Sequence, residues 1–389
     1  MVKVAILHNI VTPYRLDLFE EIASQLGSER CTVYYYTEKY SDRLWDTKQD
    51  NVKYASKILP GITIHLPFLN IPISINPSIT KEIRNNRYDV VIVNGFSDVS
   101  SLLAILQSKI LGIKVIIWSE LTGHFLSTRY KFYLPFIRFI FHFADALIVP
   151  STMAQEFHLK MGIPSSRIFI SPNTINNEKY TTISRKNREE KATIKAELSL
   201  SEGKIVLYMG RLIERKGLLY LLEAFNRLQK EHDDIALVIV GDGTQKAEFL
   251  KFCKTKQIHG VYFPGFVTED EKMKYYSISD VFVLPSLWEL HPLVLSEAMA
   301  CGLPVITTDV VGNARDMIID GETGCIIKRK SVEELAVALN HMLQISERNR
   351  AMCIETIRSQ FSIENSARGF LDAINSLTDT DNGHERYSR

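Results

Sequence analysis

Short β-branched runs alternate with longer stretches of helical periodicity through most of this chain. Runs such as 90–93 and 236–240 are almost continuously apolar, a pattern typical of strands that are buried on both faces. Such strands belong to parallel sheets, because the helices that connect parallel strands cover both sides of the sheet. The alternation therefore predicts an α/β fold built from doubly wound parallel sheets.

The strands that this pattern predicts are Val2–His8, Cys31–Tyr36, Asp89–Asn94, Lys114–Trp118, Asp145–Val149 and Ile168–Ser171 in the first half, and Lys204–Met209, Ile235–Val240, Val261–Phe263, Asp280–Leu284, Pro304–Thr307 and Cys325–Lys328 in the second. Ligands of open α/β sheets bind at the carboxyl ends of the strands. Functional side chains are therefore expected directly after these segments.

The length of 389 residues exceeds that of one ordinary domain, so two domains are expected. The polar segment 176–203 separates the two series of strands and is the predicted connection, with a short helix around Thr193–Leu198. The stretch Ser362–Leu377 has the pattern of a last amphipathic helix, and the polar residues after 378 are expected to fray.

Composition argues against several classes of protein. Lys+Arg 46 against Asp+Glu 45 leaves a net charge of +1, which gives no indication of nucleic-acid binding. No apolar run reaches the ~18–20 residues that span a bilayer, and Met1–His8 lacks the features of a secretory signal. The 5 cysteines include no C-x-x-C pair, as expected for buried thiols in a reducing compartment. Together these observations predict a cytoplasmic protein.

Two basic residues follow the strand predicted at Lys204–Met209. Gly210 permits a tight turn after that strand, and Arg211 and Lys216 lie beyond it. A planar guanidinium and a compact ammonium that converge after one strand suit a bound diphosphate. A solvated basic loop before a helix is the alternative interpretation.

A second segment combines two carboxylates with the start of a helix. Pro292 suits the first turn of this helix and Gly302 its end, and the N–H groups of the first turn could bind an anion. Glu289 precedes the helix, and Glu297 lies about five residues into it, or roughly 7–8 Å along the axis. The two carboxylates could hydrogen-bond hydroxyl groups on both sides of a diphosphate. An ordinary helix carboxylate is the alternative for Glu297, but a buried acid in such an apolar stretch needs a partner.

In combination, these segments resemble the retaining glycosyltransferases of family 4, which have the GT-B fold. The residues that carry the resemblance are Gly210-Arg211-Leu212 with Lys216-Gly217, Glu289 and Glu297 with seven residues between them, the run Glu297–Val305, and Asp320-Gly321 with Thr323-Gly324. The resemblance is strong over about Ile205–Lys328. It is weaker in the first half, where Pro172-Asn173-Thr174 matches the turn before the connection.

The resemblance implies two Rossmann-like doubly wound domains that face a cleft. These are an acceptor-side domain at 1–175 and a nucleotide-sugar-binding domain at 204–360, with a terminal helix at 361–378 that crosses back to the first domain and a tail at 379–389. The implied activity is transfer of a hexose-type sugar from a nucleoside diphosphate sugar to an acceptor hydroxyl with retention, in the synthesis of a surface polysaccharide or lipid-linked glycan. No metal or other cofactor is expected, because cationic side chains and a helix N-terminus can supply the same electrostatic stabilisation.

The resemblance also implies roles for individual residues of the second half. Arg211 and Lys216 would contact the donor diphosphate, Glu289 the donor sugar and Glu297 the ribose hydroxyls. The remaining donor-site candidates are Gly210, Gly243, Val267, Leu290, His291, Pro292 and Leu293. Relatives usually have Gly-Phe where this chain has Leu290-His291, and a Gly-Gly…Glu segment where it has 312–316, so the loop contacts to the sugar differ here.

Candidates in the first half follow two of its predicted strands. Many relatives have a histidine directly after the strand that corresponds to Lys114–Trp118, and here Glu120 and His124 are the candidates for its role. A structural salt bridge for the first and a surface position for the second are the alternatives. Arg15, in a turn without the glycines common in relatives, is a candidate contact for the acceptor or the pyrophosphate.

One segment of the first half has the composition of a membrane-surface helix. Residues 129–143 are aromatic and basic and contain no acid, which is typical of a helix that lies on anionic lipid. A core-packing helix with a solvated basic edge is the alternative.

Three other functions can be weighed against transfer. A nicotinamide-dependent oxidoreductase is disfavoured, because 241–243 lacks a third glycine and no acid ends the next strand. A glycosidase would use paired carboxylates but would give Arg211 and Lys216 no purpose. A non-catalytic nucleotide-sugar-binding protein remains open, because of the altered loop at Leu290-His291 and the missing histidine.

Overall fold

A computed structural model of the protein describes residues 2–38, 52–66, 71–123 and 133–378. The chain divides into two compact units, of which unit 1 comprises Met1–Asn173 with Ile363–Arg389 and unit 2 comprises Thr174–Ser362. Each unit contains a parallel sheet that is covered by helices. The predicted α/β class with two doubly wound sheets is therefore confirmed.

The described residues of unit 1 form a sheet of 7 strands and a separate two-stranded hairpin. Its strands are β1 (Val4–Ile10), β2 (Cys31–Thr37), β3 (Ala55–Ile58), β4 (Ile62–Leu66), β5 (Ile71–Ile75), β6 (Val90–Asn94), β7 (Lys114–Trp118), β8 (Ala146–Val149) and β9 (Ile168–Ile170). Its helices are α1 (Pro13–Leu26), α2 (Ser78–Asn86), α3 (Val99–Ile110), α4 (Leu134–Phe143), α5 (Thr152–Lys160) and α14 (Ile363–Thr378). The main sheet is parallel in the order β3-β2-β1-β6-β7-β8-β9, and β4 pairs antiparallel with β5.

The central strands of unit 1 are buried on both faces, as their continuous apolar runs predict. Val91 and Val93 face one apolar cluster and Val90 and Ile92 the other, because successive side chains point to opposite sides of a strand. The final helix α14 belongs to the second cluster, where the ring of Phe370 lies edge-on to Trp118 with 4.9 Å between centroids.

Strands β3, β4 and β5 did not follow from the sequence. All four residues of β3 are exposed at the edge of the sheet, and Ile62 and Ile64 of β4 are exposed as well. An edge strand has only one neighbour and needs no long apolar run, so its pattern cannot be separated from that of a loop.

Unit 2 contains a single sheet of 6 strands. Its strands are β10 (Lys204–Met209), β11 (Ile235–Val240), β12 (Val261–Gly265), β13 (Val281–Leu284), β14 (Val305–Thr308) and β15 (Gly324–Ile327). Its helices are α6 (Asn177–Glu189), α7 (Lys191–Glu197), α8 (Leu218–Leu228), α9 (Lys246–Lys256), α10 (Glu269–Ile278), α11 (Leu293–Ala300), α12 (Ala314–Met317) and α13 (Val332–Gln360). The strands are parallel in the order β12-β11-β10-β13-β14-β15, the Rossmann order.

The segment expected to be a polar connection is mostly helical. Helix α6 occupies its first half and packs against α10 and α11, and α7 covers much of the rest. Tyr180 and Ile194 bury their side chains in the core of unit 2, which anchors both helices there. The division between the units accordingly falls after Asn173, before the connection begins.

The strand order of both sheets reverses at one place. In unit 1 the chain leaves β1 on one side towards β2 and later returns on the other side at β6, and in unit 2 the same happens between β10 and β13. Such switch points leave a crevice at the carboxyl ends of the strands, where ligands bind. Most candidate residues follow these strands, whereas Glu120 follows β7, Gly243 follows β11 and Val267 follows β12.

Candidate active site

Two loops of unit 2 dock on each other at its switch point. The loop after β10 reaches the loop after β13, and the Leu287 N–H donates a hydrogen bond of 2.8 Å to the Arg215 carbonyl oxygen. Gly217 has a left-handed backbone with φ of 69°, and a Cβ at this position would lie 2.1 Å from the Pro285 carbonyl oxygen. Only glycine satisfies both conditions, so this residue determines how closely the loops approach.

The docked loops bring an acid and two bases together. Lys216 donates a hydrogen bond to the Glu289 carboxylate, and Arg215 donates to the same oxygen, Oε2, at 2.8 Å. The Arg215 guanidinium also lies over the Trp288 ring, 4.8 Å from its centroid. Glu289 is fixed in turn through its backbone, which forms a bridge with Val311, three residues after β14.

The ammonium of Lys216 lies in a sheltered and strongly positive place. Burial lowers the pKa of Lys216, Glu289 opposes this effect, and the charges of Arg215 and Arg211 add to the lowering. Arg211 is exposed, and its carbonyl oxygen accepts a hydrogen bond of 3.0 Å from the Tyr208 hydroxyl. The structure thus brings three of the four predicted charged residues, Arg211, Lys216 and Glu289, into one group.

Glu297 belongs to a second group. It is buried in α11, and its Oε1 accepts hydrogen bonds from Lys272 at 3.1 Å and Tyr180 at 3.2 Å, while Tyr276 donates to Oε2 at 2.8 Å. Glu269 contacts the same lysine at 2.8 Å and the Tyr180 hydroxyl at 2.9 Å. Burial lowers the pKa of Lys272, but the two glutamates outweigh it and the pKa is raised.

The buried acid therefore has the partner that its burial requires. That partner is a lysine on α10 with two tyrosine hydroxyls. None of these hydrogen bonds involves the group around Glu289. The contact of Glu297 with a ribose stays a prediction.

The other donor-site candidates line the same edge of the sheet. Gly210 has φ of 154°, and Gly243 lies against the first loop, where a Cβ would be 2.4 Å from the Leu212 carbonyl oxygen. The Leu290 carbonyl oxygen accepts a hydrogen bond of 2.7 Å from the Gly312 N–H. His291 is buried beside that glycine, whereas Val267 is half-buried at the end of β12.

The start of α11 is suited to an anion. Pro292 is its N-cap and Leu293 its first residue, and no side chain caps the helix or places an acid in its first turn. The first N–H groups of a helix carry partial positive charge and have no partner within the helix. Ser286 and Ser296 are close to the start of α11 in the sequence. Their hydroxyls are buried and make no hydrogen bond to the described residues.

The first-half candidates form a separate group within unit 1. Arg15 is buried, and its guanidinium donates to Glu120 at 3.2 Å and to Asn173 at 2.9 Å. Asn173 also donates to Glu120 at 3.0 Å, and the guanidinium lies over the Trp118 ring at 4.1 Å from its centroid. Glu120 thus forms the salt bridge that was one of its two interpretations. His124 lies outside the described residues.

Several members of these groups were missed in the sequence. They are Arg215, Tyr180, Lys272, Tyr276 and the side chain of Asn173. Arg215 adjoins a predicted residue and could have been included on that ground. The three partners of Glu297 could not, because they lie 21 to 117 residues away from it along the chain.

Two further observations concern the described part of the chain. It contains no group of three or more His, Cys, Asp or Glu side chains that could hold a metal ion. None of its helices has both the length and the apolar character that crossing a membrane requires.

Comparisons with known families account for most of the chain. The model of the glycosyl transferases group 1 matches residues 190–360, and the model of glycosyltransferase family 4 matches residues 18–179. The first match contains the paired loops and α11, and the second contains Glu120 and most of the sheet of unit 1. This chain belongs to the glycosyltransferases of group 1 and family 4, which have the GT-B fold.

Individual relatives match over part of their length. The chain is 34% identical over 184 residues to spore coat protein SA of Bacillus subtilis, covering 45% of this chain and 48% of that protein. It is 28% identical over 219 residues to the alpha-galactosylglucosyldiacylglycerol synthase of Streptococcus pneumoniae, covering 54% and 56%. The chain thus spans about half the length of the curated relatives it matches.

A solved structure extends the likeness of fold to nearly the whole chain. The structure of Anabaena Alr3699/HepE in complex with UDP-glucose matches with a TM-score of 0.67 at 17% identity, over 96% of this chain and 100% of that one. At this identity the likeness establishes the fold alone.

Proposed function

We propose that this protein transfers a hexose-type sugar from a nucleoside diphosphate sugar to an acceptor hydroxyl, with retention of the anomeric configuration. The observation that carries the proposal is the contact of Lys216 with Glu289 at the switch point of unit 2, with Arg215 on the same carboxylate. Arg215 and Lys216 pair with this acid, and the charge of Arg211 acts on Lys216 as a third cation. The excess positive charge is what a diphosphate requires.

The chemistry follows from where charge develops. As the bond between the anomeric carbon and the diphosphate oxygen breaks, negative charge grows on the departing diphosphate. Lys216 and Arg211 stabilise that charge, and the N–H groups at the start of α11 add to it. The acceptor oxygen forms the new bond to the anomeric carbon on the face from which the diphosphate leaves, and its proton departs with the leaving group.

Glu289 positions Lys216 before the donor binds. Its carboxylate opposes the lowering of the Lys216 pKa that burial causes, and its hydrogen bond positions the ammonium. When the donor arrives, the diphosphate takes over part of this pairing and the carboxylate can accept hydrogen bonds from the sugar. Glu297 would meet the ribose from its own network, and the candidates of 243, 267 and 290–293 would line the base and the sugar.

The comparisons support the substrate classes in general terms. The solved neighbour was crystallised with UDP-glucose, and the pneumococcal relative is named for the synthesis of a glycolipid. For this chain we propose a nucleotide sugar as donor and a glycan or lipid-linked glycan as acceptor, with no cofactor or metal beyond the donor itself.

A panel of donors tests the proposal. UDP, GDP and their hexose conjugates are titrated into the purified protein by calorimetry, and the same samples are assayed for release of the nucleoside diphosphate. The anomeric proton coupling of the product then gives the stereochemical outcome. Release of diphosphate with a retained anomer is expected. Tight binding without turnover would instead favour a non-catalytic nucleotide-sugar-binding protein. The altered loop at Leu290-His291 is the reason for considering this alternative.

We also propose a peripheral contact with anionic membrane on the cytoplasmic side, through α4. Ile137, Ile140 and Phe141 of this helix face the core, and Phe136, Phe139 and Phe143 are 55%, 61% and 42% exposed. Their spacing of three and four residues places the three phenylalanines on one stripe, and the rings of Phe139 and Phe143 are 5.1 Å apart.

The charge of the segment matches an anionic surface. Arg138 and His142 are exposed on the same helix, and residues 124–143 contain no Asp or Glu. Aromatic rings that enter the headgroup region beside basic side chains are typical of helices that lie on a membrane. Residues 124–132, which include the remaining basic residues of this segment, lie outside the described residues.

Vesicle flotation tests the membrane contact. Phe136→Ser with Phe139→Ser should abolish binding to vesicles that contain phosphatidylglycerol, while Leu250→Ser, at an exposed apolar residue of α9, should leave it intact. Equal flotation of all three proteins, or no preference for anionic over phosphatidylcholine vesicles, would rule the contact out.

A further inference from the structure

Three consecutive residues of the loop after β13 contact Arg215. The Leu287 N–H donates a hydrogen bond of 2.8 Å to the Arg215 carbonyl oxygen, and the guanidinium lies over the Trp288 ring, 4.8 Å from its centroid. The guanidinium also donates a hydrogen bond of 2.8 Å to Oε2 of Glu289. Both the backbone and the side chain of Arg215 are therefore bound to the loop that carries this carboxylate.

The Glu289 carboxylate uses one oxygen for both of its cations. Arg215 and Lys216 each donate to Oε2, whereas Oε1 accepts no hydrogen bond from the part of the chain that the structure describes. A carboxylate oxygen has more than one lone pair, so two cations can hold Oε2 at the same time. This arrangement fixes the orientation of the carboxylate and leaves Oε1 available to another donor.

The two cations differ in how firmly they are held. Lys216 has a compact charge at the end of a flexible stem, so its ammonium can exchange one acceptor for another by rotation. The planar guanidinium of Arg215 is held on two sides, by the carboxylate and by the face of the indole ring. Lys216 is therefore the partner that can leave Glu289 for an anion, while Arg215 stays.

The pairing of Arg215 with Glu289 makes this exchange easier. The Glu289 side chain is only 13% exposed, so a carboxylate that lost its last cation there would be strongly destabilised. With Arg215 in place, the carboxylate keeps one partner after Lys216 has turned away. A diphosphate can then take the ammonium without leaving a sheltered negative charge uncompensated.

We propose that Arg215 is a positioning residue, which holds the Glu289 carboxylate while Lys216 transfers its hydrogen bond to the donor diphosphate. The inference rests on the proposed function, because it requires a diphosphate at this site. Arg215 acts through Glu289 and does not contact the diphosphate itself. Its removal should therefore weaken binding of a diphosphate only where residue 289 carries a negative charge.

A double-mutant cycle tests this proposal. UDP and GDP are titrated by calorimetry into the wild type, Arg215→Met, Glu289→Gln and the double variant, in about 0.5 M salt so that the general attraction between a cation and an anion is screened. Arg215→Met should weaken binding of the preferred nucleotide roughly 5- to 20-fold when Glu289 is present and less than about twofold in the Glu289→Gln background. Equal losses in the two backgrounds would mean that Arg215 binds the diphosphate directly, and would overturn the proposal.

Further variants separate this role from an effect on folding. Arg215→Lys restores a cation that can pair with Glu289, so its affinity for the nucleotide should fall less than that of Arg215→Met. Arg227→Met is the matched control, because it removes an arginine from an exposed ion pair with Glu333 and should bind the nucleotide like the wild type. Arg215→Gln carries the same prediction if Arg215→Met does not fold. Equal weakening by the lysine and methionine variants would contradict the proposed role.

The titration of Lys216 provides a readout that does not depend on a ligand. Besides burial, the charge of Arg215 lowers the pKa of Lys216 in the wild type, so Arg215→Met should raise it. NMR of isotopically labelled lysine side chains measures this change. An unchanged pKa of Lys216 would show that the two cations do not share the carboxylate, which would also overturn the proposal.

The calorimetric data distinguish failure of this proposal from failure of the proposed function. If the wild type binds UDP or GDP and Arg215→Met binds the same nucleotide equally well, the positioning role alone is refuted. If the wild type binds neither nucleotide, the proposed function is refuted and no diphosphate remains for Lys216 to bind.

Discussion

The ammonium of Lys216 donates a hydrogen bond to the carboxylate of Glu289, although the two residues are 73 positions apart in the chain. Two neighbouring strands of a parallel sheet end side by side and bring the loops that carry these residues together. The pair is sheltered, with side chains that are 10% and 13% exposed. A change of charge in this pair should therefore have a large effect on unit 2.

Glu289→Gln should lower the pKa of Lys216. Burial, Arg215 and Arg211 all lower that pKa in the wild type, and Glu289 is the group that raises it. A titration followed by NMR of isotopically labelled lysine side chains would measure the change directly. Glu214→Gln, at an exposed position of the same loop, should shift it far less. A Lys216 pKa that stayed at the wild-type value in Glu289→Gln would contradict this view of the pair.

Gly217→Ala should separate the docked loops. A Cβ at this position would lie 2.1 Å from a carbonyl oxygen, in addition to the strain of a left-handed backbone with φ of 69°. Gly321→Ala provides the comparison, because its φ is 78° and nothing lies within 4 Å of its Cβ, so the strain acts alone at about 1 kcal/mol. The measurement is the free energy of unfolding in urea. Equal losses of unfolding free energy in the two variants would mean that the added Cβ at position 217 causes no destabilisation beyond that of the left-handed backbone.

Lys272→Met should destabilise unit 2 by removing the cation from a buried carboxylate. Glu297 and Lys272 are only 12% and 16% exposed, and loss of one partner from such a pair costs about 3 kcal/mol. The double variant Lys272→Met, Glu297→Gln should recover much of that loss, because the buried charge is removed and the remaining partner of the lysine, Glu269, is 50% exposed. Unfolding free energies from urea titrations provide the comparison.

Lys274→Met is the matched control for that experiment. Lys274 is on the same helix, α10, but its ion pair with Glu197 of α7 is exposed, so its loss should change stability little. If the two lysine variants unfolded at the same urea concentration, the buried network would contribute no more than a surface pair.

Acid should weaken unit 1 through His158. Burial lowers the pKa of this histidine to about 4, and its Nδ1–H donates to the Ala154 carbonyl oxygen at 2.7 Å, which leaves Nε2 to accept from the Ser119 hydroxyl. The unfolded chain binds a proton near pH 6.5 and the folded one only near pH 4. The stability that the neutral ring contributes is therefore complete above about pH 6.5 and is lost as the pH falls towards 4.

The expected loss between pH 7 and pH 5 is about 2 kcal/mol. His158→Gln removes the titrating group, so the pH dependence of its unfolding free energy should be flatter than that of the wild type by this amount. Parallel pH profiles for the two proteins would show that His158 titrates in the folded state as it does in the unfolded chain.

The fold followed from the sequence wherever the strands are buried. The strand predicted at Ile235–Val240 has these bounds in the structure, and the strand predicted at Asp89–Asn94 begins one residue later, at Val90. The structure of the segment after Asn173 was predicted less well. Its helices are polar on most of their surface, and a few buried side chains such as Tyr180 anchor them to unit 2. A mostly polar pattern of this kind predicts a connecting segment when only the sequence is considered.

The sequence predicted those site residues whose positions depend only on where neighbouring strands end. Arg211, Lys216 and Glu289 follow neighbouring strands, so the parallel sheet alone brings them together. The environment of Glu297 depends instead on how helices α6 and α10 pack beside α11. The sequence indicated that this acid needs a partner, but only the packing of those helices identifies Lys272 and the two tyrosines.

The turnover of a donor sugar by Lys216→Met tests the central claim most directly. Methionine keeps the buried stem of the side chain and removes its charge, while Lys251→Met makes the same change at an exposed position of α9. If Lys216 stabilises the departing diphosphate, the rate of diphosphate release should fall roughly 10²–10³-fold in the first variant and remain unchanged in the second. A folded Lys216→Met protein that releases diphosphate at the wild-type rate would contradict the account.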